Sequence, residues 1–285
     1  LKGYEDTNIF FTGDYKEENI FFDVNNKLPD SVTKLPTIIV TEATYGNKDS
    51  GEIIPVFETD IQTQLKCAKL IVIFAFSLER TQTVIYRLKK MQEVGSLDEN
   101  VKIFLDGKQA QQFTDLYRYS LDIRPEAKNF LPENFTKISK YETRDGIITA
   151  NKGKYICITP SGMADHGWAP YYVRNLIERD DVCFYFIGYT SPGTLGNELI
   201  NSRLGDTIYI GEISKCVKAT ILHTNEFSAH PTRDVLRKFY KQFPNLNAIL
   251  IIHGEKEVKE SFKKYCESEF PNSEVVILSN GDYEE

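Results

Sequence analysis

Four runs between residues 70 and 188 are apolar almost without interruption, at 70–75, 101–105, 155–159 and 183–188. They alternate with segments of helical spacing at 57–68, 78–91, 109–120 and 169–178. A strand that is apolar on both faces must be covered on both faces, and the usual cover is the helices that connect parallel strands. This predicts an α/β fold built on a parallel sheet. Residues 124–153, with Pro125, Pro132 and many charges, read instead as an irregular excursion. At 285 residues and 41% hydrophobic content, the chain can bury one large core or two modest ones, and two are expected.

The flanks differ from the middle. Short apolar runs at 8–11, 20–22 and 37–40, separated by polar turns, read as strands. The tail returns to strand and helix, with strands at 217–222, 248–252 and 275–278 and a charged helix at 257–270. Another helix, 232–243, places Val235, Leu236, Phe239, Tyr240 and Phe243 on one face. The simplest organisation is an α/β domain at 51–225 inserted into a second fold made of 1–50 and 226–285.

Charge and cysteine usage exclude some classes. A formal charge of -7 argues against a broad basic surface for non-specific nucleic-acid binding, while leaving room for a local basic groove. Cys67, Cys157, Cys183, Cys216 and Cys266 are odd in number, and no two form a C-x-x-C pair. That pattern fits reduced thiols in a cytoplasmic or nuclear protein better than a disulfide framework or a thiolate zinc site. No apolar run reaches the length of a membrane span, so no membrane partner is expected.

Several apolar runs end on residues that do chemistry: Phe10-Phe11-Thr12-Gly13-Asp14, Ile38-Ile39-Val40-Thr41-Glu42, Phe227-Ser228-Ala229-His230 and Ile252-His253-Gly254-Glu255. In α/β folds the carboxyl ends of strands face the functional crevice, so residues far apart in sequence could share one rim. Each has a bland reading. Thr-Gly-Asp is ordinary turn punctuation, and an isolated histidine is more often structural than functional. Two of the chain's 4 histidines at such ends shift the balance toward a site.

These segments, in this order, resemble the β-CASP branch of the metallo-β-lactamase superfamily. Thr41-Glu42-Ala43-Thr44-Tyr45-Gly46 is similar to its E-[SA]-T-Y-G signature, Ser228-Ala229-His230 to its S-A-H segment, and Ile252-His253-Gly254-Glu255 to its His-Gly-Glu motif. Phe76-Ser77-Leu78-Glu79-Arg80-Thr81-Gln82, Ser161-Gly162-Met163 with Gly167, and Gly188-Tyr189 with Gly193-Thr194-Leu195-Gly196 resemble three further family segments. The likeness runs from about Asn8 to Leu278. It implies a metallo-β-lactamase sandwich, partial here, with an inserted β-CASP domain.

The resemblance also implies roles. Asp14 and His253 would be zinc ligands of a two-ion site, His230 the general acid, and Glu42 its supporting carboxylate. Arg80, Ser161, Gly162, His166, Gly193 and Thr194 would meet the substrate. The implied activity is hydrolysis of the RNA backbone, or less often of single-stranded DNA, in RNA processing such as messenger 3′-end formation. An RNA-processing complex or a homodimer is the implied assembly. The chain departs from the family pattern at Ser50, where a histidine is common nearby, and at Thr83, Thr190, Asn197 and Thr232. No H-x-H-x-D-H stretch, the family's principal ligand cluster, occurs in the 285 residues. The expectation is therefore a fragment lacking part of the metallo-β-lactamase fold and inert by itself. A non-catalytic scaffold subunit is the alternative; a flavodoxin-like nucleotide-binding domain fits only the middle of the chain.

Overall fold

The computed structural model describes residues 7–25, 27–150 and 152–278. In chain order the first elements are β1 Asn8–Phe11, α1 Asp30–Thr33, β2 Thr37–Glu42, α2 Phe57–Cys67, β3 Leu70–Phe74, α3 Arg80–Glu93 and β4 Lys102–Leu105. There follow α4 Lys108–Tyr119, β5 Phe135–Lys137, α5 Tyr141–Thr149, β6 Tyr155–Thr159, α6 Ala169–Leu176, β7 Val182–Phe186 and α7 Leu195–Ile200. The last are β8 Thr207–Ile210, β9 Ile213–Cys216, β10 Thr220–His223, α8 Arg233–Tyr240, β11 Leu246–His253, α9 Lys256–Glu269 and β12 Glu274–Ile277. They fall into two compact units: Leu1–Asn19 with Asp23–Ile54 and Ala229–Glu285, and Ile20–Phe22 with Pro55–Ser228.

The discontinuous unit is built on a sheet of order β1-β2-β11-β12, parallel throughout among the described residues. Ile39, Ile249 and Ile251 point from one face into a core with Leu236 and Tyr240 of α8 and Phe262 of α9. Each such side chain, fully buried, contributes about 2 kcal/mol relative to exposure. Buried Tyr240 keeps its hydroxyl satisfied at 2.7 Å from Thr41 Oγ1. Ile9 and Phe11, which alternate with core-facing Phe10, stand 47% and 69% exposed.

The continuous unit holds a sheet of order β10-β7-β3-β6-β4-β5, again all parallel. Every residue of β3 and β7 is buried, as uninterrupted apolar runs require. Ile71, Ile73, Ile103 and Ile156 share one core with α3, while Leu70, Val72, Phe184 and Phe186 share another with α6. The loop after β3 thus enters a helix on one face, and the loop after its neighbour β6 enters a helix on the other.

Two expectations fail. Residues 20–22 form no strand: Phe21 is a side-chain anchor, fully buried against the rings of Tyr86, Tyr117 and Phe130, and its carbonyl accepts from Arg124 N at 2.8 Å. The stretch read as irregular, 124–153, contains β5 and α5. Helix α5 escapes pattern reading because one of its buried positions is Arg144, a charge facing the core.

Candidate metal centre

Three strands of the discontinuous unit deliver side chains to one rim. Asp14 follows β1 after a turn at Gly13, Glu42 ends β2, and His253 ends β11, where the register sets it opposite Glu42. The strand register shifts between Ile251 and His253, and such a break in pairing is a common way to re-aim a side chain beside a site. His230 comes from the turn before α8. Its placement is pinned by Tyr45 pairing with Thr232 and by Arg233 N donating to the Lys48 carbonyl at 2.8 Å. Gly254 takes φ +126° directly against Ala43, and a Cβ there would lie 3.1 Å from the Ala43 carbonyl. Its lack of a side chain lets the β11 exit pass close to the β2 exit.

The ligand-capable atoms of Asp14, Glu42, His230 and His253 all lie within 4.8 Å of one another. His230 Nδ1 is 2.6 Å from Glu42 Oε2, and His253 Nδ1 is 3.1 Å from Asp14 Oδ1. The two imidazole rings meet edge to face at 5.6 Å. Glu42 is 2% exposed, yet its Oε1 has no hydrogen-bond partner in the protein. Nearby Tyr15 carries a buried hydroxyl likewise unsatisfied. Burial, then the charges of Glu42 and Glu17, push that phenol well above its usual range. A buried carboxylate with an orphaned oxygen is costly unless something positive meets it. Two imidazoles and two carboxylates are the nitrogen and oxygen donors that zinc takes, and Asp14 and His253 leave the rim open to solvent. The donor set therefore fits a small divalent cation.

A second network flanks it. Asp234 Oδ1 accepts from Thr232 Oγ1 at 2.6 Å, Ser50 Oγ at 3.1 Å and Ser50 N at 2.9 Å. Burial alone would raise the Asp234 carboxyl, but these bonds outweigh it and hold the group below its ordinary range. Sequence reading singled out Ser50 and Thr232 as departures and missed Asp234, the carboxylate that ties them together; its place two residues after Thr232 was the available signal.

The residues expected to meet substrate lie in the other unit. Ser161 and His166 line a cavity there. Gly162 is packed so closely on Phe76 that a Cβ would sit 2.8 Å from the ring, and Arg80 lies over the same ring at 5.2 Å. Thr194 caps α7 by accepting from Asn197 N, with Gly193 exposed before it at φ +84°. None of these is among the four residues of the His/carboxylate cluster.

The chain thus combines a parallel-sheet unit with a second unit, made of flanking segments, that carries this cluster. Comparison with known proteins places both parts in described families. A family profile for the Beta-Casp domain matches residues 81–199, and one for the Zn-dependent metallo-hydrolase RNA specificity domain matches residues 216–278. The chain belongs to the metallo-β-lactamase/β-CASP nuclease family, as its sequence motifs implied. It is 30% identical over 271 residues to a protein named transcription termination factor FttA from Methanococcus maripaludis, covering 87% of this chain and 41% of that one. It is 25% identical over 266 residues to an RNase J-like protein from Methanocaldococcus jannaschii, covering 89% and 60%. To RNase aCSPSF2 from Saccharolobus solfataricus it is 24% identical over 250 residues, covering 86% and 47%. The chain thus spans about 40–60% of the length of these relatives. No helix among the described residues is long and apolar enough to cross a membrane.

Proposed function

We propose that the whole protein is a zinc-dependent RNA phosphodiesterase and that this chain supplies its proton-transfer pair and part of its metal-ligand set. The observation that carries the proposal is the buried Glu42 carboxylate 2.6 Å from His230 Nδ1, with Asp14 and His253 completing a group within 4.8 Å. Asp14 and His253 would hold metal. Two ions would need more ligands than these four residues offer. Bound zinc supplies Lewis acidity toward the phosphoryl oxygens and an acidified water.

The chain's own residues do the rest. Glu42 accepts a hydrogen bond from Nδ1 of His230, which fixes the tautomer and orients the ring. The other ring nitrogen, once it carries a proton, can pass that proton to a departing ribose oxygen, the general-acid role an imidazole can fill. Hydrogen bonds from Ser50 and Thr232 to Asp234 hold the turn that presents His230. RNA is favoured as substrate by the family profile over 216–278, described as an RNA specificity domain, and by the names of the relatives.

The test pairs metal content with cleavage. His253→Ala should weaken zinc binding at least tenfold by calorimetry. His230→Ala should keep the metal and lose roughly 10²–10⁴-fold in single-turnover cleavage of labelled RNA. A protein that binds no zinc and cleaves no RNA would instead be a scaffold, and cleavage that ignores His230 would overturn its role as general acid.

A further inference from the structure

The continuous unit contains a cavity of about 470 Å³ at the carboxyl edge of its sheet, walled by loops that leave β3, β6 and β4. Phe76 comes from the first loop, Pro160 and Trp168 from the second, and Lys108 from the start of α4. Adjacent β3 and β6 send their chains to helices on opposite faces, as described above. The cavity therefore sits at a topological switch point, where open parallel sheets bind ligands. Its volume is within the range of small-molecule and cofactor sites.

Trp168 gives the cavity its chemistry. The indole is 37% exposed, although a charged group is packed behind it: the Arg144 guanidinium lies 3.5 Å from the ring centroid. Arg144 is 5% exposed and held by Asp106 in a two-pronged pair, Nε to Oδ2 at 2.5 Å and Nη2 to Oδ1 at 2.7 Å. Tyr172 donates to the same carboxylate at 2.9 Å and Gly107 N at 2.8 Å. Tyr171 meets the indole edge-on at 5.8 Å. Burying an ion pair adds little net stability over apolar packing. What this one achieves is to fix an aromatic plane from behind while the indole stays partly open to solvent. The rim adds exposed Lys108 and His166, and the first turn of α4 starts there without a side-chain cap. A flat ring site with cationic and amide donors at its edge suits a nucleobase carrying a phosphate.

We infer that this cavity is a base-stacking subsite for one nucleotide of single-stranded RNA, with Trp168 as the platform and Lys108 and His166 placed for the adjoining phosphate. The inference rests on the RNA reading above, but its test does not depend on metal or cleavage. Trp168 is the one tryptophan in these 285 residues, and the part of the indole fluorescence change that Trp168→Ala abolishes reports this site. The protein would be titrated with an unlabelled ten-residue oligoadenylate and with 5′-AMP, while anisotropy of a labelled decamer follows binding independently. Quenching that saturates in step with anisotropy is expected. Trp168→Ala should weaken decamer binding roughly tenfold, and Trp168→Phe should restore it to within about threefold, which separates stacking from misfolding.

Decamer binding without quenching, or with unchanged affinity in Trp168→Ala, overturns the subsite and leaves the ribonuclease reading intact. AMP binding as tightly as the decamer overturns RNA as the occupant in favour of a free nucleotide. No binding of either ligand overturns the subsite, whereas the ribonuclease reading falls only by the zinc and cleavage test.

Discussion

Two clusters of charged side chains sit at strand carboxyl ends in this molecule, one in each unit, and they solve opposite problems. Asp106, Arg144 and Tyr172 balance one another: the carboxylate accepts from guanidinium, phenol and backbone amide, and all three side chains are buried. Burial, with Cys157 and Asp106 beside it, pushes the Tyr172 phenol far above its usual range, so it remains a donor. Asp14, Glu42, His230 and His253 hold two carboxylates and two imidazoles, and Glu42 Oε1 is left unmatched. A cluster complete in itself sets the shape of something else, here the plane of Trp168. A cluster with a surplus of acceptors fits a cation.

The largest expected effect tests the self-sufficient cluster. Asp106→Ala leaves Arg144 buried and unpaired, and should cost about 3–5 kcal/mol in urea unfolding. The pair Asp106→Leu with Arg144→Met should recover most of that loss. A cost under about 1 kcal/mol for the single change would erase the distinction between the clusters. A smaller effect tests the other side. In metal-free protein, Glu42→Gln keeps a hydrogen bond to His230 and removes an uncompensated buried charge. Stability should then stay within about 1 kcal/mol of the parent or rise; a loss of several kcal/mol would mean that Glu42 is structural.

The smallest effect concerns a half-exposed pair between these extremes. Burial would raise the Glu58 carboxyl, but hydrogen bonds and charge from Arg87 outweigh it and lower it below its ordinary 4.5. Its contribution is therefore present above that value and lost as pH falls through the lowered one. The Glu58 side chain is 42% exposed, so Glu58→Gln should cost only about 0.5 kcal/mol at pH 7 and less at pH 3. Equal cost at both pH values would assign the effect to packing.

Sequence made the fully buried strands legible, because β3, β6 and β7 lie under helices on both faces and carry apolar runs without a break. It also picked out Asp14, Glu42, His230 and His253, which stand where apolar runs stop. Residues 20–22 misled because three apolar residues look alike whether their backbone pairs or a single ring plugs a core. Helix α5 and the platform beneath Trp168 were hidden for a related reason. Arg144 reads as a solvent-facing charge, and its partner Asp106 lies 38 positions away, beyond any periodic pattern. The hairpin β8–β9 passed unnoticed because its outward residues, such as Tyr209 at 66% exposure, blur the alternation.

The pairing of β2 with β11 has a consequence in time. Asp14 and His253 are separated by 239 positions, and at 5–20 residues per second a ribosome takes roughly 10–50 s to make that span. Throughout that interval the first half of the cluster exists without the second, and the inserted sheet, whose strands all lie between Leu70 and His223, is synthesised whole before His230 and His253 appear. The four-residue cluster is thereby completed late in the life of each molecule, at a time set by the length of the insert.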